Sequence, residues 1–198
     1  IDCRFPIQSV IRPHTLDNQD YRGFAGRIDG GVFKPGDRVK TLPSGFVTTI
    51  KTIELNGEQI AEAFAPMSIT MTLQDEIDTS RGDMIVRENN VPEIGQDIEV
   101  LVTWMSSNPL KPNTKVVIKH TTKQCLGMVK ELKYKIDINT LHRIEGIDTL
   151  KMNDIGRISI RTSKPLFYDA YKKNRQTGSI IIIDEQTNET IGAGMIIK

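Results

Sequence analysis

The sequence predicts an all-β protein built as two consecutive small β-barrels, residues 1–92 and 93–198, and three observations carry this. Short runs rich in Val, Ile and Thr recur along the whole chain, each closed by a turn of Gly, Pro, Asn or Asp. Where a run is long enough to show a period, it alternates: Met67, Ile69, Met71 and Leu73 stand against Ser68, Thr70 and Thr72, which buries one face of a strand. A polar segment ending in proline, Glu88-Asn89-Asn90-Val91-Pro92, then separates two charge regimes, and its proline favours an extended linker. Strands this short leave open edges unless a sheet closes on itself, so barrels are the expected architecture.

The elements follow in order. Phe5 to Arg12 reads as one strand, and Tyr21 to Phe33 as a strand, a turn at Asp29-Gly30-Gly31 and the start of another. Pro35-Gly36 turns into a strand over Arg38 to Leu42, Pro43-Ser44-Gly45 turns again, and Phe46 to Leu55 is a long strand ending at Asn56-Gly57. Pro66 to Leu73 and Arg81 to Val86 complete the first half. In the second half, Asp97 to Trp104 is a strand, Asn108 to Pro112 a proline-bounded loop, and Thr114 to His120 a strand. Gln124 to Asp137 holds one or two more, and Asn139 to Arg143 is expected to form a short helical turn capped by Asn139. Asp154 to Arg161 is a strand, followed by a polar loop through Arg175. Ser179 to Ile183, a serine and four isoleucines, predicts a strand buried on both faces. A return strand from Thr190 to Ile197 closes the hairpin, and Gly192 and Gly194 within it predict a bulge or a close backbone approach.

Composition narrows the function. Charged residues make up 26% of the chain and net charge is +1, ordinary for a globular protein. No apolar run approaches the roughly 20 residues that span a bilayer, so no membrane partner is expected. Residues 1–92 carry 10 Lys/Arg against 13 Asp/Glu, net −3, and residues 93–198 carry 16 against 12, net +4. The basic lean of the second half suits an anionic partner but falls far below the density of a dedicated nucleic-acid binder. Cys3 and Cys125 are the two cysteines; free thiols and a reducing cytoplasm are expected. Ile1 stands where a methionine would open a gene product, which predicts an excised piece of a longer chain, although a processed protein would look similar.

The chemistry-bearing motifs are missing. The sequence holds no GxxxxGK[ST], HExxH, CxxC or GxSxG. His14, His120 and His142 lack a second ligand at metal spacing and are expected at the surface or half-buried. Asp75-Glu76 with Asp78, and Asp184-Glu185, fall at strand ends and read as solvated turns. The glycines at 23, 26, 30, 31 and 36 are followed by β-branched residues and Pro35, so they serve turns rather than a nucleotide loop. Trp104 is expected in the second core. Lys172, Lys173 and Arg175 form a compact basic cluster around Asn174, and these four are the candidate partner contacts. A solvated loop and a partner-docking or phosphate-contacting loop both fit it.

Two stretches carry a family resemblance. RGFAGRI (22–28) through Gly30, Gly36-Asp37 and Val39, followed by Arg81-Gly82-Asp83, resembles the second domain of GTPases of the elongation factor Tu superfamily; Thr190 to Gly194 resembles the close of their third domain. Within it, FPIQSVIRP (5–13), ITMTLQDEIDTSRGDM (69–84), NRQTGSIIIID (174–184) and TIGAGMI (190–196) resemble the large, GTP-hydrolysing subunit of bacterial sulfate adenylyltransferase. The resemblance implies that residues 1–92 correspond to domain 2 and residues 93–198 to domain 3. It further implies a cytoplasmic hetero-oligomer in which GTP and Mg sit in an upstream GTPase domain, while a separate small subunit makes adenylyl sulfate from ATP and sulfate. No cofactor, metal or catalytic residue is then expected in these residues themselves. The competing expectation is the aminoacyl-tRNA-holding barrels of an elongation factor, which the acidic, aromatic-poor first half disfavours.

Overall fold

A computed structural model describes residues 1–13 and 20–198 and resolves the chain into two compact units, Ile1–Pro92 and Glu93–Lys198. His14 lies outside the described residues. Among the described residues every regular element is a strand.

The first unit runs β1 (Arg4–Pro6), β2 (Ser9–Ile11), β3 (Gly23–Arg27), β4 (Val32–Phe33), β5 (Arg38–Leu42), β6 (Val47–Leu55), β7 (Glu58–Gln59), β8 (Ala63–Phe64), β9 (Ser68–Leu73) and β10 (Met84–Arg87). Its main sheet has the order β1-β10-β5-β6-β9-β3-β2, with β7 paired to β6, while β4 and β8 form a separate pair. The expected single strand over Phe5 to Arg12 is two strands. β1 pairs with β10 and β2 with β3, so the chain must change partners between them. Ile7 N–H donates to Asp83 O and Gln8 N–H to Ala25 O, which marks the crossing. Because β1 and β2 are consecutive, this crossing joins the two ends of the sheet path. Arg4 N–H to Gly30 O and Asp29 N–H to Arg4 O, at 3.0 and 2.9 Å, complete the closure. Phe5, Phe24, Phe33, Ile50, Ile53 and Met71 fill the interior.

The polar segment before Pro92 is tied to this unit rather than free. The Arg4 side chain is fully buried, and its Nη1 donates to Asn90 O at 2.6 Å, Asn90 Oδ1 at 3.0 Å and Cys3 O at 2.9 Å. Asn90 Oδ1 also accepts the Cys3 N–H, and Glu88 takes Arg38 Nε at 2.9 Å. A buried guanidinium needs this many acceptors, because an unsatisfied charge inside costs several kcal/mol.

The second unit contains β11 (Glu93–Trp104), β12 (Lys115–His120), β13 (Lys123–Ile136), β14 (Arg143–Ile144), β15 (Ile155–Tyr168), β16 (Ser179–Ile183) and β17 (Thr190–Ile196). The order β12-β16-β17-β11-β15-β13 returns to β12 through a further β12–β13 pairing, a closed six-stranded barrel with β14 appended to β13. Val100, Val102, Trp104, Ile118, Ile158 and Ile182 lie in its core. Trp104 is buried as expected and its Nε1 donates to Asn108 O at 2.8 Å.

Three expectations are corrected here. β15 continues seven residues past Arg161. The segment from Asn139 is a strand-to-strand turn whose cap is Asp137: its Oδ1 accepts the N–H groups of Asn139 and Thr140, and Arg143 already belongs to β14. β16 is buried on one face only, with Ile180 and Ile182 inside and Ile181 36% exposed, because a barrel wall has a single interior side. The two β17 glycines do mark a close approach. A Cβ on Gly194 would lie 3.1 Å from Ile180 Cγ1, and one on Gly192 would lie 3.3 Å from the Trp104 ring.

Candidate functional site

The candidate contacts lie on the loop between β15 and β16, and its tight backbone explains how they are presented. Lys173 N–H and Asn174 N–H both bond to Ala170 O, and Gly178 N–H returns to Asn174 O at 2.9 Å. Asn174 Oδ1 accepts the N–H groups of Gln176 and Thr177 at 2.9 and 3.1 Å. This is an Asx turn, in which a short amide side chain replaces a backbone acceptor. Tyr171 N–H donates to Ile196 O and Ile196 N–H to Gly178 O, so the loop is laced to the end of β17. Gly178 has no substitute: a Cβ there would sit 2.4 Å from Tyr171 Cα and 2.6 Å from Asn174 O.

Beneath the loop runs a buried polar relay. Thr177 Oγ1 donates to Asp169 Oδ2 at 2.7 Å, and the His120 Nε2–H donates to Thr177 O at 2.7 Å. Asp169, Thr177 and His120 are each at most 3% exposed. Burial pushes the His120 imidazole down to about 4, so it is neutral at physiological pH. His120 is therefore a core residue, correcting the expected surface or half-buried placement; His142 is exposed. Lys173 Nζ reaches Asp169 Oδ1 at 3.8 Å.

The four candidates thus divide by role. Asn174 folds the loop, Lys173 leans on a buried carboxylate, and Lys172 and Arg175 point into solvent. Sequence reasoning missed Asp169 and Thr177, which hold the loop. Their signal was a polar pair bracketing the basic cluster next to a glycine.

The other candidate groups have structural partners. Asp75 Oδ2 accepts Thr48 Oγ1, Asp78 lies 3.6 Å from Arg22, and Asp184 Oδ1 caps Gln186 and Thr187. Glu99 bridges Lys133 and Arg157, and these two cations hold its carboxyl below the ordinary range. In the first unit a groove of about 450 Å³ is lined by Tyr21, Lys51, Glu54 and Asp75 among others. Burial, then the bond to Glu54 Oε2 at 2.9 Å, raises the Tyr21 hydroxyl to about 12, so it stays a donor. Cys3 and Cys125 are free buried thiols, and burial raises that of Cys125. Among the described residues no group of three or more His, Cys, Asp or Glu could hold a metal ion, and the groups described above form hydrogen bonds and ion pairs suited to binding and folding.

The barrel pair defines a fold class. Crystal structures of sup35 with GDP and with GMPPNP superpose on the whole chain with a TM-score of 0.87 at 14% identity, over 47% of the sup35 chain. At that identity the likeness is one of fold. Residues 97–197 match the GTP-eEF1A C-terminal domain-like family, and the chain belongs to that family. Relatives along the entire chain are more specific. The bifunctional enzyme CysN/CysC of Mycobacterium tuberculosis H37Rv is 47% identical over 100% of this chain and 32% of its own length. Sulfate adenylyltransferase subunit 1 of Francisella tularensis is 46% identical over 100% of this chain and 41% of its own, and that of Bacteroides fragilis 42% over 99% and 40%. The chain therefore spans about a third to two fifths of the relatives it matches. The resemblance to sulfate adenylyltransferase subunit 1 holds over essentially all of its residues.

Proposed function

We propose that the chain is the non-catalytic barrel portion of the GTP-hydrolysing subunit of a cytoplasmic sulfate adenylyltransferase. It couples a GTPase domain, which holds GTP and Mg, to the small subunit that forms adenylyl sulfate from ATP and sulfate. The observation that carries this is identity of 42–47% to subunit 1 and CysN/CysC proteins over 99–100% of the chain. The site chemistry is consistent: a rigid loop presents Lys172 and Arg175 outward over a buried polar anchor, which suits docking. Two closed barrels are stiff bodies, and stiff bodies transmit a nucleotide state by moving as units.

Isothermal titration calorimetry with GTP and Mg, and with the small catalytic subunit, tests this. The expected outcome is no heat and no phosphate release with GTP, together with saturable binding of the small subunit. Nucleotide hydrolysis by the pure chain, or no association with the small subunit, overturns the proposal. The aminoacyl-tRNA reading predicts instead tight, salt-sensitive retention of charged tRNA on a filter.

A further inference from the structure

A polar chain runs from the surface of the β15–β16 loop into the second barrel, and Thr177 is its centre. Thr177 is fully buried, and each of its polar groups is bonded. Its N–H donates to Asn174 Oδ1 at 3.1 Å and its Oγ1 to Asp169 Oδ2 at 2.7 Å, while its carbonyl accepts the His120 Nε2–H at 2.7 Å. His120 is the last residue of β12, and Asp169 directly follows β15. One residue thus pins the loop to two strands of the barrel wall. A third strand joins through backbone alone. Tyr171 N–H donates to Ile196 O at 2.9 Å and Ile196 N–H to Gly178 O at 2.8 Å, and Ile196 ends β17. There is no slack between these segments, because the backbones of Tyr171 and Asn174 lie directly against Gly178.

These bonds depend on one another. Breaking one while the rest hold leaves a buried carbonyl, imidazole N–H or carboxylate without its partner, and that group bears the full penalty of its desolvation. The bonds therefore break together, and a segment wired in this way opens as one local unit. One member is electrostatic and reaches the surface. Asp169 is 3% exposed, and a carboxylate that deep is costly without a compensating cation. Lys173 Nζ stands 3.8 Å from its Oδ1, four residues on, with the lysine side chain 60% exposed. We infer that these groups form a charge-dependent latch: the β15–β16 loop and the end of β17 are held or released together, and the Lys173 ammonium on the Asp169 carboxylate sets which. Because Lys173 is open to solvent, the order of a loop anchored inside the barrel answers to charge at the surface. The latch operates whatever the loop docks to, and so goes beyond the function proposed above.

Native-state hydrogen exchange of the whole chain tests this, read on the amides of Tyr171, Thr177, Gly178 and Ile196, with Arg157 to Ile160 in mid-β15 as the reference. Lys173→Gln removes the charge and should speed exchange of all four by a common factor of about fivefold, the scale of a partly exposed ion pair. Lys173→Arg should retain protection, and Lys172→Gln should leave it unchanged. In an Asp169→Asn background Thr177 Oγ1 keeps an acceptor but the carboxylate charge is gone, so Lys173→Gln should have no further effect. A purely steric role for the lysine would survive in that background. Unchanged exchange in Lys173→Gln overturns the latch, as does acceleration confined to Lys173 and Asn174 or equal acceleration in mid-β15. An effect of Lys173→Arg as large as that of Lys173→Gln, or a Lys173→Gln effect that persists in the Asp169→Asn background, overturns it as well. If Asp169→Asn does not fold, the comparison of Lys173→Gln with Lys173→Arg decides alone.

Discussion

The His120 imidazole is sealed from solvent and neutral, with its Nε2–H on Thr177 O and with Lys123 and Asp169 as the charged groups acting on it. Its folded-state value is depressed to about 4 from an ordinary 6.5. The unfolded chain therefore takes up a proton first as pH falls, and the folded state loses stability between about 6.5 and 4. At 1.36 kcal/mol per pH unit the loss approaches about 3 kcal/mol. His120→Leu should cost about 1–2 kcal/mol at pH 7, because Thr177 O loses its donor, and should flatten that acid limb. Urea melts at pH 7, 5.5 and 4.5 check this, and an unchanged pH slope in the variant would refute it. The burial was legible in TKVVIKH: Val116, Ile118 and His120 share one period-2 face, with Lys115 and Lys119 on the other. Histidine's usual half-exposed habit hid it. Asp169 and Thr177 were less legible, because their pairing depends on a loop fold that the local pattern does not encode.

At the scale of elements, strands with clean alternation or clear turns were readable, and those interrupted by tertiary devices were not. Arg38–Leu42 and Ser179–Ile183 match their predicted bounds, since Pro-Gly, Pro-Ser-Gly and the Asp184 turn delimit them. β15 passes through Lys164-Pro165 to Tyr168, where the sequence predicts a strand ending at Arg161. Pairing with β11 jumps from Asp97↔Arg161 to Gly95↔Leu166, so Thr162 to Pro165 bulge opposite Gln96. Proline is tolerated in such a bulge, where its missing N–H removes no ladder bond. Side chains make up the lost pairing: Gln96 Nε2 donates to Thr162 O at 2.9 Å, Thr162 Oγ1 to Lys164 O at 2.7 Å and Lys123 Nζ to Pro165 O at 2.7 Å. Gln96→Ala removes the donor to a half-buried carbonyl and should cost about 1 kcal/mol. It should also speed amide exchange across Thr162 to Leu166 while leaving β12 and β16 protected. Uniform exchange across all three strands would sink the assignment of this bulge to Gln96. The four isoleucines of β16 were overread as a doubly buried strand: a run of β-branched residues specifies a strand, but only the closed sheet decides which sides are covered.

At the scale of the molecule, each unit owns a complete core. Phe5, Phe24 and Phe33 anchor the first, and Trp104, Leu166, Tyr168 and the aliphatics of β12, β13 and β15 fill the second. Their hydrogen-bond closures are also separate. Arg4 clasps Asn90 at the end of the first unit, while the second closes through its own β12–β13 pairing. About 100 residues around one sealed core is enough for independent cooperative folding, with a stability of roughly 5–10 kcal/mol. Chains of residues 1–92 and 93–198 expressed apart should therefore each melt in a single sigmoidal transition with β-rich circular dichroism. Opposite pH responses should separate them further. Asp29 in the first unit is raised by burial to about 6. Its contribution is full below its ordinary 3.8 and is lost as pH rises through about 6, opposite in sign to that of His120. Asp29→Asn in residues 1–92 should then flatten a rise in stability with acid, and His120→Leu in residues 93–198 a fall. If either half is unfolded alone, or if the two substitutions move the pH slope in the same direction, the separate-core argument fails.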